Sequence, residues 1–172
     1  IVYNDRVICY LNSNGKVFTI GTTGDHGAYP NKGDNSIMKN SFYTDVSGGV
    51  IQVVSNKKGF AALKSDGTVR SWGDTLYNSM NGINTFADSI LHLNYDIIKL
   101  FSNENYYVAL KKNRDVITWG YIAAKNGEGQ IFSYLNNSVY KPHSSPIKPL
   151  KNVFKVIMNN NATALLTYDN EV

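Results

Sequence analysis

The chain has 172 residues, 42% of them hydrophobic, which is enough for one packed domain. Lys and Arg number 17 against 13 Asp and Glu, a net charge of +4, and the charged fraction of 17% is too low for a charge-driven disordered tail. Polarity is carried instead by amides and phenols, with 22 Asn and 12 Tyr. The lysines are scattered, with Lys57-Lys58 and Lys111-Lys112 as the only adjacent pairs, so nucleic-acid binding receives no strong support. Cys9 is alone, which excludes an intramolecular disulfide and a Cys-based zinc site. No apolar run approaches the roughly 18 residues of a membrane span, and the amino end lacks a basic-then-apolar signal pattern.

In chain order, the first hairpin signal is VICYLNSNGKVFTIG, with Asn14-Gly15 between two apolar runs. The second is Val50 to Gly73, VIQVVSNKKGFAALKSDGTVRSWG, and the third is Ile97 to Gly120, IIKLFSNENYYVALKKNRDVITWG. These two segments align without a gap at a step of 47 (119 − 72), matching Ser55-Asn56, Ala62-Leu63-Lys64, Val69 and Trp72-Gly73 with their counterparts up to Leu110, Val116 and Trp119-Gly120. The upstream copy aligns at an offset of 52 (73 − 21) with Ile20 in the Trp slot, and VFKVIMNNNATALLTYDNEV is a fourth copy at an offset of 103 (172 − 69). Asp66-Gly67 predicts a tight type I′ turn, which needs positive φ at both residues.

FAAL and YVAL are apolar at consecutive positions, as strands buried on both faces require. A three- to four-stranded unit that recurs at this spacing and is covered by its neighbours on both sides describes a propeller blade. The expected fold is therefore all-β, a partial β-propeller of three to four antiparallel blades in one segment. The repeats run roughly 1–49, 50–95, 96–151 and an incomplete 152–172. The Trp is expected to wedge between blades and the Gly after it to allow close backbone packing.

Phe60-Ala61-Ala62-Leu63-Lys64, Asp66-Gly67, Val69 and Trp72-Gly73-Asp74 resemble the propeller repeats of the regulator-of-chromosome-condensation family, closest to a bacterial variety. Ile97 to Gly120 fits the same pattern, but has Asn113-Arg114 where Asp-Gly is expected, so that turn has another geometry or is strained. Asn126 with Gly129-Gln130 is similar to a Gly-Gln element that often follows Trp-Gly in such repeats. The resemblance implies a ring of typically seven blades, hence a segment of a longer propeller or an open arc whose remaining blades come from the parent chain or another chain. It also implies a large secreted or surface-exposed interaction protein, or an effector. The eukaryotic exchange-factor branch carries a Gly-x-x-His before its Ala-Leu strand, and that His is absent here.

Chemistry-bearing motifs are sparse. His26, His92 and His143 have no ligand-spaced partners, so no metal site is expected, and no nucleophile elbow, phosphate-cradling loop or dinucleotide motif occurs, so no cofactor is expected either. Cys9 lies in an apolar strand as a small core residue. The connectors between repeats carry His26, Tyr29, Tyr77, Tyr121 and Tyr134, residue types suited to partner contact. Asn136-Asn137-Ser138 and Asn161-Ala162-Thr163 are glycosylation sequons. The function expected is a non-enzymatic scaffold that binds a protein or surface glycan through variable loops. The rivals are a guanine-nucleotide exchange factor or chromatin-binding regulator, and a propeller glycan hydrolase or lyase.

Overall fold

The computed structural model describes residues 1–21, 46–73, 95–120, 131–132, 139–140, 151–160 and 162–168. Among them the chain is a partial β-propeller built of antiparallel sheets. Blade 1 is β1 (Val2–Tyr3), β2 (Val7–Leu11) and β3 (Val17–Gly21); blade 2 is β4 (Val50–Asn56), β5 (Gly59–Lys64) and β6 (Val69–Gly73). Blade 3 is β7 (Ile97–Ser102), β8 (Tyr106–Lys111) and β9 (Val116–Gly120). A short separate pair, β10 (Ile131–Phe132) and β11 (Val139–Tyr140), precedes blade 4, which comprises β12 (Val153–Met158) and β13 (Thr163–Thr167). No helix among the described residues is long and apolar enough to cross a membrane.

Strand alternation explains why the middle strands are apolar at every position. Phe60 opposes Trp72 and Ala62 opposes Arg70, while Ala61 opposes Ser71 and Leu63 opposes Val69. Successive residues of β5 therefore face opposite neighbours. Phe60, Ala62 and Trp72 pack with Val7, Cys9 and Val17 of blade 1. Ala61, Leu63 and Val69 pack with Leu100, Tyr107, Ala109, Ile117 and Trp119 of blade 3. The pattern steps on once more, with Val108 and Val116 of blade 3 packing on Val153 and Val156 of blade 4. The core is thus a series of interblade layers, each shared by two consecutive sheets.

Trp72 is 3% exposed and Trp119 2% exposed. Each indole stacks on the aromatic ring opposite it in its own sheet, Trp72 on Phe60 at 5.6 Å and Trp119 on Tyr107 at 5.1 Å between centroids. Trp119 also reaches across the layer, its Nε1 donating to Ser71 Oγ at 3.4 Å. Gly120 follows with φ +124, and a Cβ there would lie 2.7 Å from Tyr106 Cα and 2.8 Å from the Asn105 carbonyl oxygen.

The second turn of blades 1, 2 and 3 differs from the type I′ geometry that Asp66-Gly67 predicts. Only Gly67 has positive φ, at 81°, and Asp66 does not share it. Lys64 donates its amide to the Thr68 carbonyl at 2.8 Å, and Gly67 donates to the Lys64 carbonyl at 3.0 Å, which closes a three-residue loop with one left-handed residue. Asp66 Oδ1 accepts from the Thr68 amide and hydroxyl at 2.9 and 2.7 Å, and these bonds hold its carboxyl below the usual value. Gly15 (φ 74) and Arg114 (φ 70) occupy the equivalent position, so the Asn113-Arg114 turn keeps the common geometry with a non-glycine residue in the left-handed region.

The carbonyl of that left-handed residue ties each blade to the next. Gly15 O accepts from Val50 N, Gly67 O from Ile97 N and Arg114 O from Val153 N, each at 3.0 Å. Gly67→Ala should destabilise by about 1–2 kcal/mol through left-handed strain, with the added Cβ 3.1 Å from Asp96 N. The converse change, Arg114→Gly, removes similar strain but adds glycine's unfolded-state entropy, about 0.4–1 kcal/mol. It also loses the Arg114 guanidinium over the Tyr168 ring at 4.7 Å, worth about 0.5–1 kcal/mol at an exposed site. A denaturant midpoint that moves little for Arg114→Gly and falls clearly for Gly67→Ala is the expected result.

Candidate interaction rim

The first turn of each blade, between its first and second strands, is built on an asparagine. Asn4 Oδ1 accepts from the amides of Arg6 and Val7 at 3.1 and 3.0 Å. Asn56 Oδ1 accepts from Lys58 N at 3.0 Å, Asn103 Oδ1 from Asn105 and Tyr106 N at 2.9 Å each, and Asn159 Oδ1 from Ala162 N at 2.7 Å. A short side-chain acceptor that closes on amides two and three residues on is the feature that suits Asn to such turns. Asn4, Asn56, Asn103 and Asn159 share the register of the sheet repeat. Sequence alignment pairs Asn56 with Asn103, and its offsets of 52 (56 − 4) and 103 (159 − 56) place Asn4 and Asn159 on Asn56 as well.

These turns form one rim. Glu104 joins three of them, its carbonyl accepting from Lys57 N at 2.9 Å and its Oε1 from Asn160 Nδ2 at 3.1 Å. Ser55 Oγ donates to the Tyr3 carbonyl at 2.8 Å, and the Tyr106 and Thr163 hydroxyls bond at 2.8 Å, so neighbouring blades are pinned at this end by side chains as well. The third strands finish here too: Gly73 pairs with Gly59, and Gly120 with Tyr106. The connectors therefore leave the blades at this rim. Its exposed charges are mixed, with Asp5, Arg6, Lys57 and Glu104 in the turns.

Of the residues expected to contact partners, His26, Tyr29, Tyr77, Tyr121 and Tyr134 all lie outside the described residues, as do His92, His143, Asn126, Gly129, Gln130, Asn136, Asn137, Asn161 and Asp74. The blade positions are described. Leu63, Val69, Trp72, Gly73, Val116 and Trp119 are buried, Leu110, Gly67 and Gly120 are half-buried, and Asp66 is exposed in its turn. Among the described residues no group of three or more His, Cys, Asp or Glu is placed to hold a metal ion.

Two buried groups have altered acidity. Burial pushes the Cys9 thiol up to about 12. Cys9 should therefore resist thiol reagents at neutral pH in the folded protein and react at once in denaturant. Burial likewise raises Tyr107 well above its usual value, with the Asn56 backbone pulling the other way. The Asn56 contact falls short of hydrogen-bond geometry, so the hydroxyl is left without a well-formed bond among the described residues, while the equivalent residue of blade 2 is Phe60. Because an unsatisfied buried polar group costs about 1–3 kcal/mol, Tyr107→Phe should leave the melting temperature unchanged or higher.

The fold is shared with solved propellers. Yeast RCC1 (Prp20), in its complex with Kap60, superposes with a TM-score of 0.53 at 19% identity, covering 96% of this chain and 38% of that one. Human WBSCR16 gives 0.53 at 17% identity, covering 81% and 35%. Prp20p from Saccharomyces cerevisiae, described with its binding properties to Gsp1p and histones, gives 0.52 at 20% identity, covering 96% and 40%. The chain thus has an RCC1-like propeller fold and spans well under half the length of these neighbours. No family model matches the chain, and no curated protein does.

Proposed function

We propose that the chain is a non-enzymatic propeller segment whose connectors, leaving the Asn-turn rim, bind a protein partner. The observation that carries this reading is the rim itself. Turns of successive blades are joined through Glu104, Ser55 and the Tyr106–Thr163 pair, so the strand ends from which the connectors depart are held on a fixed base. The fold adds support, since an RCC1-like neighbour was solved bound to a protein. The test is to identify a partner by affinity capture and mass spectrometry, then titrate it against variants carrying Tyr29→Ser, Tyr77→Ser, Tyr121→Ser and Tyr134→Ser. Affinity weakened about tenfold, or ~1.4 kcal/mol, with an unchanged melt supports the reading. Undiminished affinity across the set refutes it, and binding on a glycan array instead would make the ligand a surface glycan.

A second reading, nucleotide exchange on a small GTPase, is favoured only by the neighbour described as binding Gsp1p. Accelerated nucleotide release from a Gsp1-type GTPase would replace the first reading with this one. We further propose that additional blades, from the parent chain or another chain, cover the outer faces of blades 1 and 4. Ile8, Phe18 and Ile20 on one face, and Ile157 and Leu166 on the other, are exposed. The positions equivalent to Ile8 and Ile20 in blade 2 are the buried Phe60 and Trp72.

A further inference from the structure

The first strands of blades 2, 3 and 4 each contain a bulge. The register shifts between Val50 and Gln52, between Ile97 and Lys99, and between Val153 and Lys155. The shift has a packing cause. Ile97 and Leu100 both face blade 2, and Val153 and Val156 both face blade 3, although residues three apart on a regular strand point to opposite sides. One extra residue restores the phase and is squeezed out of the ladder. In the three blades that residue is Ile51, Ile98 and Phe154, exposed by 59%, 54% and 42%.

A polar residue would serve the bulge equally well, and single exposed hydrophobes are ordinary; a large apolar one at the same register in three consecutive blades is a row. Missing neighbours do not account for it. Ile51 and Ile98 belong to blades 2 and 3, which have sheets packed on both faces. The row lies along the first strands, and those of blades 2 and 3 are bonded to each other. Gln52 bonds both backbone groups of Leu100, Nε2 to O at 2.8 Å and Oε1 from N at 2.9 Å.

The register position of Gln52 is Lys99 in blade 3, which is exposed, and Lys155 in blade 4, which opposes Leu166 on the face a further blade would cover. Lys112, Arg114 and Lys151 lie near the same end of these two blades, against Asp96 and Asp115. The surface is an apolar row flanked by an excess of positive charge.

We infer that the bulge row of Ile51, Ile98 and Phe154, with Lys99, Lys112 and Arg114 beside it, is a docking surface for an acidic protein segment that carries apolar side chains. Charge complementarity selects the acidic partner, and an aliphatic pair in the row favours apolar side chains over stacked bases. This surface is made of first-strand residues rather than of the connector tyrosines, and it rests on the protein-binding reading only for the class of partner.

The test is fluorescence anisotropy of the whole chain with a labelled peptide alternating Glu and Leu, beside Glu–Ser and Lys–Leu peptides and labelled oligo(dT). The expected result is binding of the Glu–Leu peptide alone, weakened by salt. Ile98→Ser should weaken it about tenfold, and Lys99→Glu with Lys112→Glu should abolish it and transfer affinity to the Lys–Leu peptide, all with unchanged melts because the residues are exposed. Glu–Leu binding indifferent to these substitutions, no binding, or equal binding of oligo(dT) would overturn the inference. The connector tyrosine variants should bind the Glu–Leu peptide normally, so failure here and failure of the rim reading are told apart.

Discussion

Trp119→Ala is expected to destabilise the propeller by about 3–5 kcal/mol, the range for truncating a large core aromatic. The indole is 2% exposed, and three losses coincide at it. The stack on Tyr107 goes, the bond to Ser71 across the layer goes, and a cavity opens among Ala61, Leu63 and Val69 of the preceding sheet. Trp72→Ala should fall in the same range, through Phe60 and the layer shared with Val7, Cys9 and Val17. Urea titration followed by circular dichroism measures both. A midpoint indifferent to either change would show that the indoles do not hold consecutive blades together.

Gly120→Ala is the second large effect, and it adds only one methyl group. At φ +124 an L side chain is strained by about 1–3 kcal/mol. The added Cβ would meet main-chain atoms of Asn105 and Tyr106 at 2.7–2.8 Å, which cannot swing away as a flexible side chain would. Overpacking of that kind costs a further 1–3 kcal/mol or so, so a total of at least about 2 kcal/mol is expected. Because Gly120 sits beside the Asn103 turn, the variant should also lower hydrogen-exchange protection of the Asn105 and Tyr106 amides, which bond Asn103 Oδ1. A variant as stable as the parent would show that this backbone approach is not required.

The architecture was legible where large residues mark the register. Trp72-Gly73 and Trp119-Gly120 set the step, and the apolar runs FAAL and YVAL signalled strands covered on both sides. The turn type was not legible, because Asp-Gly suits both a two-residue loop and a three-residue loop with one left-handed residue. Nor were the bulges: Val50 and Val53, or Ile97 and Leu100, read as ordinary apolar strand residues until the pairing shows one residue expelled between them. The β10–β11 pair lies in a connector whose sequence diverges from the repeats, so periodicity carried no trace of it. At the rim, the offsets of 52 and 103 already place Asn4 and Asn159 on Asn56, but in a chain with 22 Asn a shared Asn marks no turn until its bonds to the following amides are seen. The partner-contact residues fall in connectors, where composition suggests a role but no register fixes a position.

The blade-to-blade bonds at Gly15, Gly67 and Arg114 use a main-chain carbonyl and a main-chain amide. Neither atom depends on which side chain the residue carries, which is how an arginine stands in one sector where glycine stands in two others. Such a coupling tolerates drift: substitutions accumulate along the array while the spacing of its sectors stays fixed. An RCC1-like shape recognisable at 17–20% identity is what that tolerance would produce.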